Sequence, residues 1–291
     1  MKKINIFCFG FGQVAKNFIK KLNSEKFSIN LSVTTREESK VKKFNEIKYN
    51  NFMFKDEIFD KNLIKNLKNS DHILVSIPPI NGQDIVIKYF KEVIKECNPK
   101  WVTYLSATSV YGNHNGEWVD ELSKTYPTSF SGKNRLVSEK SWLEFSNRQK
   151  IPLQIFRLAG IYSNESNILL RLLSGDANII DKENHFFSRI HIEDIVNILF
   201  KSLSNFKSGE IFNISDDKPS SSKETTLYGV KILNIDKPQT IEIEDIKSEM
   251  LKNFYSDSKK VKNSKMKNFF NYNLKFPSYI EGLDYIRDNL V

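Results

Sequence analysis

The stretch INIFCFGFGQVA, residues 4–15, predicts the fold of the whole chain. An apolar run of strand type enters the turn Gly10-x-Gly12-x-x-Ala15, and apolar side chains then recur at helical spacing to about Leu22. Glycine lets the backbone turn tightly and approach a diphosphate, and the start of the next helix offers free N–H groups. A glycine-rich turn without a ligand is the alternative, but a strand before and a helix after are the context of a dinucleotide-binding loop.

The alternation of strands and helices continues from this turn. Further strands are predicted at 28–35, 51–54, 72–77, 101–106, 152–158 and 211–215. Helices are predicted at 84–96, 131–149, 167–174, 224–234, 244–254 and 278–288. This rhythm is typical of a parallel sheet with crossover helices.

The predicted fold class is therefore α/β: a Rossmann-fold, doubly wound parallel sheet with a small C-terminal substrate-binding subdomain. We expect residues 1–165 plus 189–215 to form the dinucleotide-binding domain. Residues 166–188 and 216–291, where the chain is more polar and the rhythm changes, would form the subdomain.

Composition limits the class of protein. The 291 residues carry a formal charge of +9, but the lysines are spread along the chain and no nucleic-acid-binding motif is present. The chain has two cysteines, too few for a disulfide framework, and neither has a Cys or His neighbour at metal-binding spacing. So few cysteines are typical of proteins in a reducing cytoplasm. No run approaches the roughly 20 apolar residues of a membrane span, and the N-terminus does not resemble a signal peptide. We expect a cytoplasmic protein with no nucleic-acid or membrane partner.

The end of the second predicted strand favours NADP over NAD. Thr34, Thr35 and Arg36 stand where an acid would bind the ribose 2′-hydroxyl of NAD. An arginine can pair with the 2′-phosphate of NADP, and threonine hydroxyls can donate to it. Alternatively, Arg36 is a surface residue that begins a helix at REESK (36–40).

Several later segments resemble one enzyme family in order and spacing. They are YLSATSVYG (104–112), RLAGIY (157–162), RIHIEDIV (189–196) and IFNISDD (211–217). The family is the extended short-chain dehydrogenases/reductases, also called the NAD-dependent epimerase/dehydratase family, and the resemblance spans nearly the whole chain. HILVSIPP (72–79) replaces the usual Asn-Ala-Gly type segment. The tail, residues 253–270 and 276–283, resembles a sub-branch of small atypical members with mostly unassigned substrates.

The resemblance implies a catalytic tyrosine, a lysine four residues later and a nearby serine or threonine. Aligned on LVSE (136–139), these positions become Ser131, Arg135 and Ala107, so all three are substituted. Ser131 is interpreted as a helix N-cap. Arg135 could still bind the ribose, or pair with Glu139 one helical turn on.

Other side chains could stand in for the missing groups. Thr108 and Tyr126 are the possible replacements, while Lys133 lies ~200° around the helix from the lysine position. Tyr111 belongs to a turn in the family pattern, and Tyr162 could approach the pocket.

The complete set of predicted binding residues follows from the loop, the strand ends and the resemblance. The cofactor would contact Gly10, Gly12, Gln13, Val14, Thr35, Arg36, Ser76, Ile77, Pro78, Ser106 and Arg135. The substrate would contact Arg189 and His114. No metal site is expected, although His114, Glu117 and Asp120 share one loop. Arg157 recurs at a family position, His191 is interpreted as structural, Trp118 as packing, and Asp216 and Asp217 as cleft-lining or capping residues.

Two functions remain open from the sequence. One is an NADP(H)-binding oxidoreductase or epimerase-like enzyme for a small polar substrate, with a nucleotide-sugar suggested by the family resemblance alone. The other is a non-catalytic NADP(H)-binding sensor or regulator, which would account for the substituted residues. A homodimer through the helices after the fourth and fifth strands is the family expectation.

Overall fold

A computed structural model of the chain describes residues 2–246, 248, 252 and 255–290. The strands are β1 (Lys3–Phe9), β2 (Ser28–Thr35), β3 (Lys40–Phe44), β4 (Ile47–Lys55), β5 (Ile58–Phe59), β6 (His72–Val75), β7 (Trp101–Ala107), β8 (Trp118–Val119), β9 (Leu153–Leu158), β10 (Gly160–Tyr162), β11 (Ile179–Ile180), β12 (Arg189–His191), β13 (Glu210–Ile214), β14 (Thr240–Ile241) and β15 (Lys260–Val261). The helices are α1 (Gln13–Ser24), α2 (Asn62–Lys68), α3 (Ile85–Cys97), α4 (Phe130–Gln149), α5 (Ile168–Leu173), α6 (Ile192–Lys201), α7 (Ser222–Leu233), α8 (Ser264–Phe270) and α9 (Tyr279–Asp288), and a 3-10 turn spans Thr108–Tyr111. The helix predicted at 244–254 falls largely outside the described residues.

The main sheet has the strand order β13-β9-β7-β6-β1-β2-β4-β3, with β5 paired to β4. Strand β1 lies between β2 and β6 and is parallel to both. The chain therefore builds the sheet outward in two directions from β1, as in a doubly wound Rossmann fold. The predicted fold class is confirmed.

The central strand is buried on both faces, as a parallel sheet covered by helices requires. Phe7 and Phe9 on β1 are fully buried, and the ring centroid of Phe9 lies 5.3 Å from that of Phe90 on α3. Helix α1 buries Phe18 and Ile19. Burying each such side chain contributes roughly 1.5–3 kcal/mol, so the first strand and helix are held firmly in place.

The region after β2 differs from the prediction. The third strand is longer than residues 51–54 and forms an antiparallel hairpin with β3. Asn45 and Glu46 form the two-residue turn with positive φ values of 43° and 66°, the backbone that tight hairpins require. The alternative in which Arg36 begins a helix is wrong, because the hairpin strand β3 follows instead.

Contacts divide the described chain into two compact units. Unit 1 comprises 1–107, 133–157 and 196–212, and unit 2 comprises 108–132, 158–195 and 213–291. Unit 2 begins earlier than the predicted subdomain, since it includes the loop after β7. No helix of the described residues is long and apolar enough to cross a membrane.

Candidate functional site

The glycine-rich loop in unit 1 contains two glycines that differ in kind. Gly10 has φ +91°, and a Cβ there would lie 2.7 Å from atoms of Ser76 and Ile77, so the fold itself requires glycine. Gly12 has an ordinary φ of −82°, and a Cβ there would meet nothing within 4 Å. Neither backbone strain nor packing requires glycine at position 12. The absence of a side chain at Gly12 leaves open space at the start of α1.

The first turn of α1 follows directly on the glycine-rich loop. Gly12 is the N-cap residue, and no side chain caps the helix. Gln13 and Val14 follow as its first residues. Exposed N–H groups and the positive end of the helix dipole at one point are the general features of a phosphate-binding site.

The end of β6 supports the loop from the neighbouring strand. The Ser76 hydroxyl lies 3.0 Å from the Phe9 carbonyl oxygen and 3.3 Å from that of Gly10. The Ile77 N–H also donates to Phe9, and Pro78 follows at the surface. Because the strand order reverses between β1 and β6, this edge is where ligands bind in open α/β sheets.

At the end of β2, the two threonines are occupied within the protein. Thr34 is buried and its hydroxyl accepts the Gly10 N–H at 3.0 Å. The Thr35 hydroxyl donates to Asn51 Oδ1 at 2.8 Å. The expectation that these hydroxyls donate to a 2′-phosphate is therefore not supported by the geometry.

Arg36 remains as the cation at this strand end. It is exposed, and no hydrogen bond or ion pair joins it to another described residue. The adjacent Glu37 forms an ion pair with Lys42 on β3, and Lys16 and Lys40 also lower the pKa of its carboxyl. Three lysines thus act on the carboxylate next to Arg36, and the Arg36 guanidinium is of a type that can pair with a phosphate.

Arg135, which the sequence comparison aligned with the family's lysine, lies on α4. Its Nη1 donates to the Leu105 carbonyl at 2.6 Å and lies 3.5 Å from the Tyr104 hydroxyl. The predicted pairing with Glu139 is wrong, because Glu139 pairs with Arg157 instead. Ser106 follows Leu105 in β7 and is buried, and its hydroxyl forms no hydrogen bond with any described residue. Ala107 is the last residue of the strand.

Ser131 lies in the first turn of α4 in unit 2 but is not the N-cap. The helix begins at Phe130, and the Ser129 hydroxyl accepts the Gly132 N–H at 3.1 Å. That pairing makes Ser129 the N-cap, so the prediction was displaced by two residues. Ser131 is exposed, and its hydroxyl lies 3.4 Å from that of Ser129.

A cavity of about 870 Å³ lies within unit 2. Ser131 and Thr108 both line it, together with hydroxyl side chains from α7. Its charged lining residues are Arg171, Arg189, Asp257 and Lys259. Three cations and one acid beside many hydroxyl groups suit a polar ligand that carries negative charge.

Arg189 is held rigidly at the cavity wall. Its Nη1 donates to the Ser220 hydroxyl at 2.7 Å and to the carbonyls of Phe187 and Ser220. The buried carboxyl of Asp216 lies nearby: burial raises the pKa of Asp216 well above its usual range, and Arg189 opposes the rise. Asp217, by contrast, forms an ion pair with Lys267 at 2.9 Å.

Lys259 and Arg171 are the two cavity cations that sequence reasoning missed. The Lys259 side chain is 11% exposed, and its Nζ lies 3.9 Å from Asp257 Oδ2, beyond hydrogen-bond distance. Asp257 Oδ1 accepts the Thr128 hydroxyl at 2.6 Å. Burial lowers the pKa of Lys259, and Asp257 partly opposes this.

The two tyrosines nearest the predicted site have structural partners. Tyr111 is buried and donates to Asn213 Oδ1 at 2.7 Å, and Tyr162 lines the cavity but donates to the Ser278 carbonyl at 3.2 Å. Tyr126 is 58% exposed and is not among the lining residues. Lys133 is also exposed, so the geometry supplies no ready replacement from this set.

The loop after β7 contributes structure rather than a site. His114 Nε2 lies 3.2 Å from the carbonyls of Tyr111 and Lys124, and His114 is absent from the cavity lining. Asp120 accepts the N–H of Leu122 and the Ser123 hydroxyl. Glu117 lies in the same loop.

Trp118 was expected to be a packing residue, but its side chain is 46% exposed. Within the described part of the chain, no group of three or more His, Cys, Asp or Glu residues could hold a metal ion.

His191 is a buried structural residue. Its Nδ1 accepts the Glu193 N–H at 3.3 Å, and its ring centroid lies 4.1 Å from that of Phe276. Burial lowers the pKa of His191 to about 4. The ring is therefore neutral near pH 7 and well placed for packing.

Several solved structures are similar to this chain over nearly its whole length. A functionally unknown conserved protein from Silicibacter pomeroyi shares 27% identity over 99% of each chain, with a TM-score of 0.86. MoeE5, solved with UDP-glucuronic acid and NAD, shares 17% identity over 98% of this chain and 100% of its own, with a TM-score of 0.78. A UDP-glucuronic acid 4-epimerase from Bacillus cereus, solved with NAD, shares 16% identity over 99% of each chain, with a TM-score of 0.76. No protein-family model matches, and no curated protein sequence matches.

The fold is thus the one seen in MoeE5, in a UDP-glucuronic acid 4-epimerase and in a dTDP-glucose 4,6-dehydratase. The structural neighbours also include a protein of unknown function, the one from Silicibacter pomeroyi.

Proposed function

We propose that this chain binds NADP(H) through unit 1 and acts as an oxidoreductase or epimerase-like enzyme on an anionic, hydroxyl-bearing small molecule. The observation that carries the proposal is Gly12. It is a glycine that neither φ nor packing requires, and it faces open space at an uncapped helix N-terminus. A diphosphate approaching the backbone is the physical reason for such a residue.

The residues present suit the dinucleotide. The N–H groups that open α1 would bind the diphosphate, and Arg36 would pair with a 2′-phosphate. Bound there, the cofactor would supply hydride transfer. NAD is bound in the neighbouring structures, so the proposed NADP preference rests on Arg36 in this chain.

The substrate class rests on the cavity in unit 2. Its cations and hydroxyl groups suit a phosphate or carboxylate attached to a polyol, and MoeE5 was solved with UDP-glucuronic acid and with UDP-glucose. A nucleotide-sugar is therefore the first substrate class to test. Localisation in the cytoplasm and a homodimer remain expectations.

Fluorescence titration with NADPH and NADH tests cofactor choice. NADPH should bind more tightly, and Arg36→Ala should weaken NADPH binding by about 10–150-fold while changing NADH little, because a charge-assisted bond contributes roughly 1.5–3 kcal/mol. Lys43→Ala removes a positive charge from the following strand, β3, and serves as the control. Equal affinities for the two cofactors in the unmutated protein would refute the preference.

A non-catalytic sensor is the second candidate. Ser131 and Arg135 favour it, since the first has no acidic proton at neutral pH and the second donates to Leu105. Mass spectrometry of the purified protein would identify a retained ligand. NADP(H) binding without conversion of UDP-glucuronic acid or UDP-glucose would support the sensor.

A further inference from the structure

The turn that follows β2 is held in place by a buried side chain of β4. Asn51 is 1% exposed; its Oδ1 accepts the Thr35 hydroxyl at 2.8 Å, and its Nδ2 donates to the Glu38 carbonyl at 3.0 Å. The Thr35 hydroxyl in turn accepts the Glu37 N–H at 3.2 Å. These three bonds fix the backbone of residues 35–38, so they also fix where the side chains of this turn begin.

Glu37 is the acid next to Arg36, and its carboxylate is already paired within unit 1. Lys42 on β3 donates to Glu37 Oε2 and forms an ion pair with it. The Lys42 side chain is 22% exposed and that of Glu37 is 67% exposed, so a largely covered lysine holds an acid at the surface. Both groups lie close to Tyr49: burial raises the pKa of its phenol, Lys42 lowers it and Glu37 raises it.

The ion pair lies beside the glycine-rich loop. The ring centroid of Phe11, between the two glycines of that loop, is 5.1 Å from the ring centroid of Tyr49. Lys42 lowers the pKa of the Glu37 carboxyl most, and Lys16 on α1 also lowers it. The carboxylate is thus near the loop and the helix to which the dinucleotide is assigned, at the strand end where a free acid accepts ribose hydroxyls.

From this arrangement we infer that Lys42 determines the choice between NADP and NAD by holding the Glu37 carboxylate. In the ion pair, the carboxylate is not free to accept the ribose hydroxyls of NAD, and its charge is compensated beside the 2′-phosphate of NADP. Lys42 is a positioning residue, because it acts through Glu37 without touching the cofactor. This inference rests on the proposed binding of NADP(H) by unit 1.

Titration of NADH and NADPH into Lys42→Met at low ionic strength tests the inference. The released Glu37 carboxylate should tighten NADH binding and weaken NADPH binding, each by about 2–5-fold, the range that partly exposed ion pairs allow. Lys42→Arg retains a cation for the pair and should keep the original ratio of the two dissociation constants. Unchanged affinities for both cofactors in Lys42→Met would overturn the inference.

A variant without the carboxylate shows whether Lys42 acts through Glu37. In Glu37→Gln, the further change Lys42→Met should move the ratio of the two dissociation constants by less than about 2-fold. An equal shift with and without the carboxylate would overturn the inference, since Lys42 would then act on the phosphate directly. Lys43→Met is the matched control, because Lys43 is the next residue of β3 but pairs with Glu46; its ratio should be that of the unmutated protein.

An NMR titration of the Glu37 carboxyl carbon tests the ion pair without a cofactor. Because Lys42 lowers the pKa of Glu37, the midpoint should be lower in the unmutated protein and in Lys43→Met than in Lys42→Met. The same midpoint in all three proteins would overturn the inference. Cofactor binding with an unmoved ratio refutes only the role of Lys42, whereas failure of every folded variant to bind either cofactor refutes the proposed function as well.

Discussion

Arg157 on β9 donates to both carboxylate oxygens of Glu139 on α4, with Nη2 2.7 Å from Oε2 and Nε 3.0 Å from Oε1. Both side chains are almost completely buried, so this is an ion pair shielded from water inside unit 1. It removes Glu139 as a partner for Arg135, whose guanidinium turns to the Leu105 carbonyl at the end of β7. The Arg135 guanidinium is thereby bound to the end of strand β7.

Breaking this pair should destabilise the protein strongly. Glu139→Ala leaves the Arg157 guanidinium buried without its counter-charge, which typically costs about 3–5 kcal/mol. Urea unfolding measures the loss. The double substitution Glu139→Met with Arg157→Met should be much less destabilised than either single change, and a cost equal to the sum of both would show that charge pairing is not the cause.

Residues with local roles could be read from the sequence more easily than residues with distant partners. The Gly10-x-Gly12 turn is encoded in one short segment, and the structure places it between β1 and α1 as predicted. The sequence predicted Glu139 as a partner of Arg135 because the two residues are one helical turn apart. Glu139 instead pairs with Arg157, which lies on strand β9 and could not be identified as its partner from the sequence.

Competing signals account for other differences. The segment SFSGK (129–133) offers two serines as caps, and only the path of the backbone selects Ser129. Lys259 carries no motif: its place in the cavity follows from the packing of a segment that lies 70 residues beyond Arg189 in the chain.

The two glycines of the loop should respond differently to substitution. Gly12→Val should leave the fold intact, since a Cβ meets nothing within 4 Å, yet abolish NADPH binding by filling the diphosphate space. Gly10→Ala should destabilise the protein by at least about 1–2 kcal/mol through its positive φ and its contact with Ile77. Fluorescence titration and urea unfolding of both variants provide the comparison. A folded Gly12→Val protein that still binds NADPH would show that the loop is a turn with no role in binding the diphosphate.

The start of α4 gives a matched pair of serine variants. Ser129→Ala removes the N-cap hydrogen bond to Gly132 and should cost about 1 kcal/mol. Ser131→Ala removes an exposed hydroxyl from the first turn and should change stability by less than about 0.5 kcal/mol. Thermal or urea unfolding distinguishes them, and the reverse order would restore Ser131 as the cap. Loss of turnover in a folded, cofactor-binding Ser131→Ala protein would show that Ser131 takes part in the chemistry.

Acid should weaken the fold through His191. Burial lowers its pKa from 6.5 to about 4, so its contribution is complete above pH 6.5 and is lost as the pH falls towards 4, because the unfolded chain takes up the proton first. Protonation of Nδ1 would also remove the bond from the Glu193 N–H.

Between pH 7.5 and pH 5, this histidine should reduce stability by about 2 kcal/mol. His191→Asn keeps an acceptor without the titration, so urea unfolding at the two pH values should show a correspondingly smaller loss. His185 remains in both proteins and cancels in the comparison. Identical pH dependence in the two proteins would exclude His191 as the cause.

Restoring the family pair tests whether the scaffold still supports tyrosine-dependent chemistry. Ser131→Tyr with Arg135→Lys places a phenol on the cavity lining and an ammonium one helical turn later on α4, where a nearby cation lowers the pKa of a phenol. General acid–base catalysis is typically worth about 10²–10⁴-fold in rate, and a gain of that size is expected with UDP-glucuronic acid or UDP-glucose and NADP⁺. Ser131→Phe with Arg135→Lys has the same ring without the hydroxyl and should show no gain. If both double variants gain equally, ring packing rather than proton transfer is responsible. If neither gains while both bind NADPH, the substituted positions are not what limits turnover.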